Sequence, residues 1–199
     1  MIRSAKNIVL GTANFGQPYN GVHVLQGERE KIWDYALQQG IEFVDTATAY
    51  GDIEIPDEFK VIRKCKLVDG TVERAYCVMS HDTEMHGIVS KFATIDPSVW
   101  ADVKIGHSMY TPEELPQEPF DIAQIPYSLI NRTFEPHLRM LKAWDVEIHA
   151  RSIFGVVLNL VTVKDAVDFV VANQHVDKIV IGVENVEQLK EIVQAVESD

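Results

Sequence analysis

Eight short runs rich in β-branched and apolar residues recur along the chain, each closing on polar or small residues. They are "NIVLGT" (Asn7–Thr12), "EFVDT" (Glu42–Thr46), "FKVIRK" (Phe59–Lys64), "AYCVMSH" (Ala75–His81), "VKIGHS" (Val103–Ser108), "IAQIPY" (Ile122–Tyr127), "VEIHARS" (Val146–Ser152) and "KIVIGV" (Lys178–Val183). Several are continuous apolar runs without clean alternation, the pattern of parallel strands buried on both faces. Segments with helical spacing lie between some of them: "EREKIWDYALQQG", with Ile32, Trp33, Ala36 and Leu37 on one face and Gly40 as a stop, then "EPHLRMLKAW", "KDAVDFVVAN" and "NVEQLKEIVQAV". Strand and helix alternating eight times predict an α/β fold, a (β/α)8 TIM barrel, as one domain over residues 1–199.

Two connections are too short for the full pattern. Tyr50 to Phe59 contains Pro56 and has room for about one helical turn, and Cys65–Arg74 is a ten-residue link with a central glycine. A parallel crossover normally takes a dozen residues or more. The expectation is a minimised barrel with its second and third helices reduced to loops. Apolar strand surface would then be covered by those loops or by a second subunit, here expected to be a homodimer.

Composition narrows the partners. The formal charge is −12, from 18 basic and 30 acidic residues, which argues against a nucleic-acid or anionic-membrane surface. No apolar run is long enough to span a bilayer, and the opening residues lack the apolar core of a signal peptide. The two cysteines, Cys65 and Cys77, fit reduced core residues and a cytoplasmic chain better than a disulfide framework.

In a TIM barrel the chemistry sits at the carboxyl ends of the strands. There the second strand offers Asp45 with Tyr50 just beyond, the third ends in Lys64 and the fourth in His81. The four are chemically coherent. A tyrosine is a usable general acid, a neighbouring lysine would lower its pKa, and an aspartate would hold the lysine. A histidine beside them would orient or polarise a carbonyl oxygen. Together they would protonate that oxygen while hydride reaches the carbon, and hydride requires a nicotinamide cofactor because no side chain supplies it. Singly, each has a plainer reading: a turn aspartate, a half-buried aromatic, a solvated lysine. His81 and His86 have no evident third ligand, so no metal is expected.

These stretches resemble the aldo-keto reductase family, and the resemblance runs along nearly the whole chain. "LGTANFGQPYNG" (Leu10–Gly21) is similar to the first-strand motif of a bacterial branch. "GIEFVDTATAYGDIE" (Gly40–Glu54) resembles the signature that carries the aspartate and tyrosine. "KIGHSMYTPEEL", "AQIPYSLINRTFEP" and "EIHARSIF" resemble the fifth, sixth and seventh strands, and "VIGVENVEQLKEIV" the eighth strand with its cofactor-gripping helix. The resemblance implies NAD(P)H-dependent reduction of an aldehyde or ketone, with Asp45, Tyr50, Lys64 and His81 as catalytic positions and Tyr50 as the acid. It implies NADP(H) or NAD(H) held by Gly11 and Thr12, by Ser108 and Gln124 at the carboxamide, by Arg151 against the nicotinamide, and by Gly182, Val183 and Gln188 around the adenosine 2′-phosphate.

The chain also departs from the pattern. Arg63 stands where a threonine usually precedes the lysine, and Lys66, one pleat later on the same face, is the competing choice for Lys64. The loop after the eighth strand lacks the usual basic pair, Glu184 would repel the 2′-phosphate, and Lys190 is the nearby cation. A catalytically degenerate barrel serving as a binding module is therefore the alternative function, and dehydration or isomerisation by the Tyr50–Lys64 pair a third.

Overall fold

In a computed structural model, residues 2–64, 75–80, 102–155 and 161–198 are described. Eight parallel strands close into a barrel in the order β1 to β8. They are β1 (Ile8–Gly11), β2 (Phe43–Ala47), β3 (Lys60–Lys64), β4 (Ala75–Ser80), β5 (Lys104–Ser108), β6 (Ile122–Pro126), β7 (Glu147–Arg151) and β8 (Lys178–Gly182). Each falls within one residue of a run read from the sequence. β1 closes the cylinder by pairing with both β2 and β8, with Gly11 opposite Asp45 on one side and Gly182 on the other.

The period-two alternation of a strand sorts these residues between lumen and outer wall. Val9, Phe43, Ile62, Cys77, Met79 and Ile122 form a buried cluster inside the barrel. The intervening residues, among them Leu10, Val44, Ile148, Ala150, Ile179 and Ile181, join the larger core shared with the helices. At the amino ends of the strands, Glu147 pairs with Lys104 (3.1 Å), Lys178 (3.2 Å) and His149 (2.9 Å).

Four helices are described. α1 (Gln26–Gln38) buries Ile32, Trp33 and Ala36, and Gly40 takes the left-handed conformation (φ 72°) that turns the chain out of the helix toward β2. α2 (Glu135–Ala143) carries Pro136 in its first turn, where the missing N–H costs no bond, and buries Leu138 and Leu141. α3 (Val163–Val171) begins with a reciprocal cap between Thr162 and Asp165. α4 (Val186–Glu197) is capped by the Asn185 side chain on the Gln188 N–H and buries Leu189, Ile192, Val193, Ala195 and Val196.

The second helix is absent, as its short connection requires. After a single 3-10 turn at Thr48–Tyr50 the chain reaches β3 through an irregular loop. Ile53 and Ile55 of this loop pack against the core, and Phe59 is buried with its ring 5.3 Å from that of Trp33. The loop thus supplies apolar cover to the core in place of helix. The third connection, 65–74, lies outside the described residues, as do Cys65 and Lys66. Cys77 is a buried free thiol. No helix among the described residues is long and apolar enough to cross a membrane.

Candidate active site

The carboxyl ends of the strands open onto a cavity of about 720 Å³, within the usual size range of small-molecule sites. Asp45 and Lys64 form its floor. Alternation along β2 and β3 points both side chains into the lumen, and Lys64 Nζ hydrogen-bonds Asp45 Oδ1. The two are 3% and 5% exposed. Burying two charges is costly unless they are paired and their remaining bonds satisfied. Here the second oxygen of Asp45 accepts a 2.8 Å hydrogen bond from Gln124 Nε2, and Gln124 Oε1 accepts one of 3.0 Å from Ser108 Oγ. The result is a continuous chain Ser108–Gln124–Asp45–Lys64 across four strands.

Tyr50 hangs over this chain from the 3-10 turn after β2, with its ring centroid 5.7 Å from Lys64 Nζ. Two glycines hold that turn. Gly51 sits at φ 85°, a conformation that L side chains rarely adopt. Gly16 packs so closely that a Cβ on it would lie 2.2 Å from the Tyr50 carbonyl oxygen. Sequence reading missed Gly16, because its requirement comes from a loop more than thirty residues away.

Protonation at the site follows from burial and neighbours. Burial opposes the Lys64 ammonium, but Asp45, and then Tyr50, outweigh it and raise its pKa above the usual lysine value. Tyr50 behaves otherwise than the sequence reading expected. Burial raises its pKa, and the Lys64 charge only partly offsets that, so the phenol stays protonated past its ordinary value of 10. The expected lowering by lysine is present but loses to desolvation.

The other expected residues divide. Gly11, Ser108, Gln124, Arg151, Gly182, Val183 and Gln188 all line the cavity with Asp45, Tyr50 and Lys64. Thr12, expected along the cofactor, does not. Its hydroxyl donates to the Asp45 carbonyl at 3.1 Å, as does its N–H at 3.0 Å, so it steadies the aspartate from behind. His81 lies outside the described residues. Arg151 is held by the Met109 carbonyl (2.9 Å) and packs 4.3 Å from the centre of the Tyr110 ring. Burial lowers its pKa from the usual arginine value. Tyr19, Tyr110, Asn14, Phe154 and Glu191 also line the cavity; they lie on loops and on a helix face, where strand-end reasoning had no purchase. Among the described residues no group of three His, Cys, Asp or Glu side chains could hold a metal ion.

Several polar groups lining or bordering the cavity keep hydrogen-bonding capacity. Gln124 has one further donor and one further acceptor position beyond its bonds to Asp45 and Ser108. Arg151 Nε and Asn14 Oδ1 are buried without a hydrogen-bond partner among the described residues. Gly11 and Gly182 are paired across β1 and β8, and a Cβ on Gly11 would lie 3.2 Å from the Ile181 carbonyl oxygen. Gln188, Glu191 and Ile192 of α4 line the same cavity.

No protein-family model matches the chain, and no curated protein matches it. Solved structures do. A Pseudomonas aeruginosa protein assigned as an aldo-keto reductase superposes with a TM-score of 0.80 at 18% identity, over 96% of this chain and 89% of that one. A thermostable aldo-keto reductase crystallised with the inhibitor epalrestat gives 0.69 at 18% identity, over 97% and 90%. An aldo-keto reductase from Bacillus halodurans, in its apo form, gives 0.67 at 17% identity, over 85% and 80%. The chain thus shares the (β/α)8 barrel fold of these structures.

Proposed function

We propose that the chain is an oxidoreductase that uses a reduced nicotinamide dinucleotide, NADP(H) or NAD(H), to convert an aldehyde or ketone to an alcohol. The observation that carries this reading is the buried Asp45–Lys64 pair beneath a protonated Tyr50 at the floor of an open cavity. A buried ion pair is seldom the most stable filling for a core, and hydrophobic replacements of such pairs often match or exceed it. A pair retained beside a phenol of shifted pKa is better accounted for by chemistry.

The geometry supports the following roles. The substrate oxygen lies against the Tyr50 hydroxyl, which donates its proton as negative charge develops there. The phenolate left behind is stabilised by the Lys64 ammonium, whose charge Asp45 maintains. Gln124 keeps the aspartate oriented, and Thr12 does so from the main chain. Ser108, Gln124 and Arg151 would hold a nicotinamide, and Gly11, Gly182, Val183 and Gln188 the rest of the dinucleotide; when bound, this group supplies the hydride. The apolar part of the substrate packs against Tyr19, Tyr110 and Phe154 at the rim.

The test is oxidation of NADH or NADPH with a panel of aldehydes and ketones, comparing the wild type with Tyr50→Phe. Cofactor binding with turnover no faster than in the mutant would remove Tyr50 from the reaction. The alternative, a degenerate barrel used for binding, is favoured by one observation: main-chain donors at the start of α4 already have protein acceptors. Titration of tryptophan fluorescence with either dinucleotide separates the two, because binding in the low-micromolar range or tighter counts against a barrel that has lost its cofactor. A cytoplasmic location and a homodimer belong to the same proposal, and light scattering measures the second directly.

A further inference from the structure

At the end of the cavity away from Tyr50, the wall is made by Gly182, Val183, Glu184, Gln188, Glu191 and Ile192. This is the loop after β8 and the first turns of α4. In TIM barrels the loops after the seventh and eighth strands, with an adjacent helix N-terminus, commonly form a phosphate site. Free N–H groups and the positive end of the helix dipole favour an anion there.

In this chain three main-chain donors in that loop and at the start of α4 are already bonded to the protein's own acceptors. The Val186 N–H donates to Glu28 Oε1 at 2.8 Å, a carboxylate reaching across from the first turn of α1. The Gln188 N–H donates to Asn185 Oδ1 at 3.0 Å, and the Glu184 N–H to Gln188 Oε1 at 2.8 Å. The nearby cations are engaged as well: Lys31 with Glu28 at 2.9 Å and Lys190 with Glu187 at 2.7 Å. Glu184 and Glu191 make no ion pair among the described residues. The Val186 N–H, and after it Lys31, lower the pKa of Glu28, so the carboxylate is charged at neutral pH. An arriving phosphate dianion would meet carboxylates and no unengaged main-chain donor among the three. A ribose diol would meet acceptors for its two O–H groups.

Resting on the dinucleotide reading above, we propose that this corner selects against a 2′-phosphate and takes a dinucleotide whose adenosine ribose carries a free 2′-hydroxyl, with Glu28 as the residue that occupies the phosphate position and Glu184 and Glu191 as acceptors for the diol. The selectivity is electrostatic in origin, so it weakens as salt is added.

The experiment uses binding, separate from turnover. Dissociation constants are measured by fluorescence or calorimetry for ADP-ribose and for its 2′-phosphate, which share the corner and lack the nicotinamide, and for NADH and NADPH. The expected result at low salt is about tenfold tighter binding of the unphosphorylated member of each pair. The gap narrows at high salt, and at least threefold in the Glu184→Gln/Glu191→Gln variant, as in Glu28→Gln separately, mainly through better binding of the phosphorylated ligand. Equal or tighter binding of the 2′-phosphate forms overturns this proposal and leaves the reductase reading standing. Failure of all four ligands to bind the wild type overturns the dinucleotide reading itself.

Discussion

Replacing Asp45 with Asn removes one partner of the buried ion pair beneath Tyr50. The substitution keeps the side-chain volume, so it opens no cavity, but it leaves the Lys64 ammonium 5% exposed and without its counter-charge. Breaking a buried pair from one side typically costs about 3–5 kcal/mol. At about 2–4 °C per kcal/mol for a chain of this size, melting should fall by about 6–20 °C. The pH dependence distinguishes this cause from a generic packing defect. In the wild type the folded pKa of Lys64 lies above its unfolded value. The pair therefore stabilises fully below about pH 10 and its contribution is lost only as pH rises through the higher folded pKa. In the variant, burial acts without Asp45, and the folded pKa falls below the unfolded one. The penalty is then largest near neutrality and shrinks as pH rises toward about 10 and the lysine sheds its proton. Urea unfolding of both proteins at about pH 7 and about pH 10 measures the two differences. Adding Lys64→Met should restore most of the loss, because no charge then remains to be solvated. A difference below about 1 kcal/mol at neutral pH, or one that does not change with pH, would show that the lysine is not held by this carboxylate.

The remaining predictions concern the phenol and its support. Tyr50→Phe should lower the turnover of carbonyl reduction by about 10²-fold or more while leaving dinucleotide binding within about twofold, read by steady-state kinetics beside fluorescence titration. Because burial holds the Tyr50 pKa above 10, reduction by the wild type should be flat with pH through neutrality and fall only above the ordinary tyrosine value, a profile that stopped-flow rates can follow. Gly16→Ala should cost about 1–3 kcal/mol and shift Tyr50, since its Cβ would meet the Tyr50 main chain. Gly27→Ala in α1, where a Cβ meets nothing within 4 Å, is the control and should be neutral or mildly stabilising.

What the sequence made legible and what it hid have different physical origins. β2 was readable because a strand buried on both faces must be apolar almost throughout, so that Asp45 stands out as an exception in "EFVDT", whereas Lys64 in "FKVIRK" stands beside Lys60 and Arg63 and is singled out by its place at the strand's carboxyl end. Alternation along the two strands then puts Asp45 and Lys64 in the lumen without further information. The missing second helix was readable from length alone, since Tyr50–Phe59 cannot hold a crossover helix. Gly16 carries no such signal. It looks like any loop glycine until the Tyr50 carbonyl is known to lie against it. Thr12 followed a strand that does border the cavity, yet its hydroxyl turned to the Asp45 carbonyl. A strand-end position fixes where a residue is, and the neighbouring acceptor decides what it does.

The direction of the Tyr50 shift extends this point to chemistry. From sequence, the lysine is a charge beside a phenol, and charge alone predicts a lowered pKa. The structure adds that both groups are desolvated and that most of the lysine's field is already satisfied by Asp45. An ion pair presents its partner with something closer to a dipole than to a free charge. The phenol therefore stays protonated in the resting site, the form a proton donor requires. The same pair would stabilise the phenolate once the proton has left, because the ammonium lies 5.7 Å from the Tyr50 ring centre while the second Asp45 oxygen is engaged by Gln124. A lysine without its aspartate would lower the resting pKa of the tyrosine further, at the cost of leaving its own charge buried and unmatched. Pairing Asp45 with Lys64 thus sets both the stability of the floor and the protonation state of the residue above it, and this is why Asp45→Asn should disturb stability and pH profile together.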